Sequence, residues 1–91
     1  MLDYTALEEN SLQDGIEVYP DPANEYVTIN LDREHTNVSI KVVNSSGQLV
    51  LADEMDRVSK TNLDVSRLKA GIYLVQIHSD QADRIVRFMK E

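Results

Sequence analysis

From Leu68 to Ser79 the chain reads LKAGIYLVQIHS. From Ile72 on, β-branched, aromatic and aliphatic residues fill the stretch, which suits a pleated surface better than a helix. A period of two sets Tyr73, Val75 and Ile77 on one face and Ile72, Leu74, Gln76 and His78 on the other. This predicts a strand. Just upstream, DVSRLKAG places Asp64 or Ser66 to cap one helical turn that Gly71 ends.

The same alternation recurs in both directions. IEVYP carries Ile16 and Val18 on one side and stops at Pro20, as a residue without an N–H must at a strand end. YVTINL follows with Val27, Ile29 and Leu31 on one face. DREHTN, residues 32–37, reads as a turn. VSIKVVN resumes with Val38, Ile40 and Val42, and NSSG, Asn44 to Gly47, reads as a hairpin in which Gly47 takes the positive φ. QLVLAD is the returning strand, and EMDRVSKTNLDV reads as a turn and a further strand ending at Leu63 and Val65. DQAD, Asp80 to Asp83, is a second hairpin turn. RIVRFMK closes the chain, with Val86 and Phe88 between Arg84 and Lys90 on one face and Arg87 on the other.

About seven short strands and no long helix predict an all-β, antiparallel β-sandwich. Leu68 in a tight turn, then Gly71, then Tyr73 resembles the tyrosine corner of immunoglobulin-like sandwiches, which makes that the expected fold.

With 91 residues the chain has one domain's length and a thin core. Its net charge of −7 argues against nucleic acid, whose phosphates want a basic surface. Four of those charges, Asp3, Glu8, Glu9 and Asp14, lie in the first fourteen residues, which hold no Lys or Arg. Residues 1–15 therefore read as an acidic linker, and residues 16–91 as the domain. With no basic start and no apolar run, residues 1–10 do not read as a signal peptide, so the chain is expected to be a piece of a longer one.

Little points to catalysis. His35 falls in a polar turn and His78 ends a strand, and both are expected to face solvent. Neither has the spacing to Ser45 or Ser46 that a hydrolase needs, and no glycine-flanked serine elbow is present. The aspartates Asp21, Asp32, Asp53, Asp56, Asp64, Asp80 and Asp83 sit in or near expected turns, where aspartate is common for its own sake. None has the alternating oxygen ligands of an EF-hand, and no cofactor is expected. Zero cysteines exclude disulfides and thiolate zinc sites. The tyrosines Tyr4, Tyr19, Tyr26 and Tyr73 do not cluster, and tryptophan is absent, which weakens a sugar-binding reading. Read alone, Arg84, Arg87 and Lys90 are ordinary protection of a terminal strand against aggregation.

Four segments together change that reading. VYPDPANEYVTI (Val18–Ile29), IKVVNSSGQLVL (Ile40–Leu51), LDVSRLKAGIYLVQI (Leu63–Ile77) and RIVRFMK (Arg84–Lys90) resemble, in order and spacing, the motifs of type IX secretion system C-terminal sorting domains. Asp21 stands where that family usually has asparagine, and Arg67 and Lys69 replace small or apolar residues. The resemblance implies an immunoglobulin-like module, not an enzyme, that directs a cargo protein through an outer-membrane translocon to the cell surface or medium. The cargo crosses the periplasm in transit, and a sortase-like peptidase cuts in the linker. On this resemblance Pro20, Pro22, Gly47, Gly71 and Tyr73 are folding determinants, and Arg84, Arg87 and Lys90 become candidates for translocon contact. The alternative is an accessory sugar-binding or spacer sandwich of a secreted hydrolase. A monomer or weak homodimer is expected, since an open edge strand can pair.

Overall fold

Strands form wherever the alternation holds. The computed structural model describes residues 15–91, which contain β1 (Glu17–Tyr19), β2 (Tyr26–Val43), β3 (Leu49–Asp64), β4 (Gly71–His78) and β5 (Asp83–Lys90). Every strand pairing is antiparallel, in the order β1-β2-β4-β5 with β3 also on β2. No helix occurs among the described residues. Apart from Gly15, the expected linker lies outside them.

Five strands stand where about seven were expected, because two expected breaks are not breaks. DREHTN does not reverse the chain; β2 runs straight through it. Between the pairs Asn30↔Lys60 and His35↔Val58, residues 31–34 of β2 face only Ser59 of β3, so the strand bulges. Asp32 and Asn37 absorb the bend with φ of 71° and 53°, and Asn30 Oδ1 accepts the Asp32 N–H at 2.9 Å. Short polar side chains that tolerate positive φ serve a corner as well as a turn. EMDRVSKTNLDV is likewise one strand, because β3 pairs with β2 on both sides of the bend.

That bend makes the sandwich. Residues Thr28–Asn30 of β2 pair with β1, whereas Ser39–Val43 pair with β4. The two halves of β2 thus belong to different layers of one five-stranded sheet, which bends where β2 and β3 cross the corner. Val27, Ile29, Leu31 and Leu63 come from the first layer. Val38, Ile40, Val42, Tyr73, Val75, Ile77 and Phe88 come from the second, and all belong to one buried cluster. Each such side chain contributes about 1.5–3 kcal/mol by leaving water.

The turns follow their chemistry. At Asn44–Gln48, Asn44 Oδ1 accepts the N–H groups of Ser46 (3.0 Å) and Gln48 (2.9 Å), and Gly47 takes φ +85°. After β3 the expected helical turn is a single β-turn instead, closed by Leu68 N–H to Val65 O at 3.0 Å. Asp64 still caps it, accepting the Ser66 N–H at 2.9 Å and the Ser66 hydroxyl at 2.6 Å. With Gly71 opening β4 at φ +155°, the segment is too short to wind further.

Candidate functional site

Both prolines belong to a short entry segment that reaches the end of the last strand. The Tyr19–Pro20 and Asp21–Pro22 peptide bonds are cis, and both proline rings are exposed. Asp21 Oδ1 accepts the Met89 N–H at 2.9 Å. The Ala23 N–H donates to Met89 O at 2.7 Å, and the Glu91 N–H donates to Ala23 O at 2.9 Å. Ala23 is fully buried and forms a parallel bridge with Lys90. An aspartate here makes a bond across the domain, where the sequence suggested only a local turn bond.

On its other side β5 lies against β4, pairing Gly71 with Lys90 and Tyr73 with Phe88. The Tyr73 and Phe88 rings stack with centroids 5.6 Å apart and planes at 21°. The Tyr73 hydroxyl donates to Lys69 O at 2.6 Å, which is the bond of a tyrosine corner. The last turn of sequence is therefore gripped between the Pro-Asp-Pro entry and the Gly71–Tyr73 strand. The β2–β3 hairpin joins this assembly where Val43 pairs with Leu74.

The three terminal cations do not form one strip. Arg84 is half-buried and donates from Nη1 to Asp83 O at 3.2 Å. Lys90 is only 7% exposed, its stem buried and its Nζ donating to Glu91 O at 2.9 Å. Arg87 alone stands fully on the outer face. There it pairs with Leu74, with Ile85 and Met89 two residues to either side on its own strand and Ile72 opposite Met89. All four apolar neighbours are exposed. The outer face of β4–β5 is thus an apolar patch around one guanidinium. Its signal was present in the sequence: Ile72, Leu74, Ile85 and Met89 hold positions that a half-buried strand gives to polar residues.

A family model described as a secretion system C-terminal sorting domain matches residues 17–91. The chain belongs to that family. Among solved structures it is similar to a DUF3244 family protein from Bacteroides vulgatus with an immunoglobulin-like β-sandwich fold. The two are 16% identical over 84% of each chain, with a TM-score of 0.72, which establishes the fold. A search of curated proteins finds none that matches.

At the far end of the sorting domain, the β4–β5 loop is clamped to the β2 corner. Asp80 Oδ2 accepts from Thr36 Oγ1 (2.9 Å) and Asn37 Nδ2 (2.7 Å), and Gln81 Oε1 accepts the Thr36 N–H at 2.9 Å. His35 does not face solvent as expected: it is 2% exposed, with Nδ1 2.8 Å from Ser79 Oγ. Ser79 Oγ already accepts the N–H groups of Gln81 (3.1 Å) and Ala82 (3.0 Å). Its hydrogen has two acceptors in reach, Nδ1 at 2.8 Å and Ala82 O at 3.5 Å, and the nearer makes Nδ1 the acceptor, leaving His35 neutral with its proton on Nε2. Burial, and secondarily Arg33, holds the imidazole pKa below its ordinary value, as that arrangement requires. This pair ties the β2 corner to the β4–β5 loop. His78 is exposed and pairs loosely with Asp83 at 3.4 Å. The Asp64 carboxyl is held below its ordinary value by the Ser66 hydroxyl and N–H. Among the described residues no group of three or more His, Asp and Glu side chains is placed to hold a metal ion.

The buried histidine makes stability pH-dependent in a defined window. Above the unfolded value of about 6.5 both states are neutral, and the full stability is present. As the pH falls below that, the unfolded chain takes up a proton first, so stability declines until the folded pKa is passed. Urea midpoints should therefore drop between pH 7.5 and pH 5, and His35→Asn should flatten that slope. An unchanged slope in the variant would assign the decline to other groups. The Asp64 contribution lies lower, lost as pH falls from about 3.8 through the depressed folded value.

Proposed function

We propose that residues 16–91 are the sorting signal that directs an upstream cargo protein from the periplasm through the type IX outer-membrane translocon. The product is displayed at the surface or released to the medium. A sortase-like peptidase then cuts in the linker ahead of the domain, of which residues 1–15 are the tail, and removes the domain. The observation that supports this reading most is the grip on β5. The family's first, third and fourth motifs meet there, so a receptor reads them as one folded surface. Arg87, amid Ile72, Leu74, Ile85 and Met89, is the proposed point of translocon contact. Arg84 and Lys90 act mainly by seating the strand.

The test is an export assay. A periplasmic signal peptide, a fluorescent protein and residues 1–91 are fused in that order and expressed with and without a working type IX translocon. Translocon-dependent fluorescence at the surface or in the medium is the expected result. A folded fusion held in the periplasm of both strains would overturn the proposal.

A further inference from the structure

The free edge of β5 is complementary to itself. Met89 directs its N–H and C=O away from β4, toward Asp21 and Ala23. In an antiparallel strand these groups alternate, so those of Arg87, Ile85 and Asp83 point the same way. The Glu91 N–H to Ala23 bond and the Ser79 N–H to Ala82 O bond, the latter directed inward, fit the same alternation. The entry segment covers the edge only at Met89 to Glu91. Among the described residues no strand is hydrogen-bonded to the backbone edge from Asp83 to Arg87, although β1 comes within 8 Å of β5.

That open stretch is five residues long with Ile85 at its centre, and its outer-face side chains are Asp83, Ile85 and Arg87. We infer that β5 pairs antiparallel with β5 of a second copy of this chain, about a two-fold axis at Ile85. This register sets Ile85 opposite Ile85, Asp83 opposite Arg87 and Arg87 opposite Asp83. Each of the three pairs exchanges two backbone bonds, about six in all. The Asp83 carbonyl keeps a second lone pair for this beside its bond from Arg84 Nη1. Ile85, 62% exposed in the monomer, is partly covered, and two opposite-charge cross-strand pairs close the ends.

Charge selects this register. A shift that centres on Arg87 sets guanidinium against guanidinium and runs the second strand into the Asp21–Ala23 segment. Charged side chains on an edge usually deter pairing, but these two have opposite signs, symmetrically placed about the middle of the open edge, so each meets its opposite on a second copy. The inference does not depend on the export role, since it concerns the isolated chain.

Sedimentation equilibrium of residues 1–91 should show a monomer–dimer equilibrium. Asp83→Arg and Arg87→Asp should each weaken the dimer by roughly tenfold or more, because both end pairs become repulsive. The double variant, carrying both changes, restores opposite charges and should recover the parent dimer. Amide exchange at Ile85 and Arg87 should slow as concentration rises. A parent chain that stays monomeric, with those amides exchanging at a concentration-independent rate, overturns the inference. So does a double variant as weak as the single ones while its circular dichroism matches the parent's.

Discussion

Replacing Phe88 by alanine should destabilise the domain by about 3–5 kcal/mol, the usual range for truncating a buried aromatic ring. Phe88 is fully buried, and its ring stacks on Tyr73, the side chain that locks the preceding turn. The loss therefore removes core volume and an aromatic contact together. A domain of this size starts near the lower end of the usual 5–15 kcal/mol, so the variant should be close to unfolding at 25 °C. Urea denaturation followed by tyrosine fluorescence measures it directly. Phe88→Leu, which keeps most of the volume, should retain a cooperative transition at a lower midpoint. A Phe88→Ala midpoint equal to the parent's would mean that the core closes without β5, and the account of the grip would fail. The same reasoning limits truncation experiments. Removing residues from Arg84 onward deletes a whole strand and its core ring, so a loss of export then reports folding before it reports docking.

Most of the inner face was legible in the sequence because side-chain period and burial are the same fact in a strand. Val27, Ile29, Leu31, Tyr73, Val75 and Ile77 are buried as their alternation requires. The hairpin at Asn44–Gln48 was legible because glycine and asparagine there have local work to do. What escaped were properties set by distant residues. DREHTN has the composition of a turn, yet whether the chain reverses depends on a partner strand that follows it round the corner, and β3 does. His35 lies in that polar stretch, and the Ser79 that its buried ring meets is forty-four residues on. Asp21 meets Met89 across sixty-eight positions. Arg84, Arg87 and Lys90 looked alike in RIVRFMK, and only the β4 register and the entry segment make them different.

That difference yields the second large effect. Arg87→Glu should reduce translocon-dependent export of a fused cargo by roughly tenfold or more, the effect expected when a central arginine in an apolar contact patch is reversed. Fold stability should change by no more than about 0.5 kcal/mol, as for other exposed substitutions. Lys90→Gln should do the opposite: its amine is already turned to Glu91 O, so export should follow whatever small stability it loses. Quantifying surface fluorescence against the folded periplasmic pool separates the two. Equal export for Arg87→Glu and the parent would move the docking surface to the Pro20–Ala23 corner. The charge-swapped double variant, Asp83→Arg with Arg87→Asp, adds a further distinction. It restores pairing between two copies, yet still lacks the guanidinium at position 87 on the patch. Export lost while that dimer forms would assign Arg87 to the translocon, whereas export recovered together with the dimer would make the paired form the exported one.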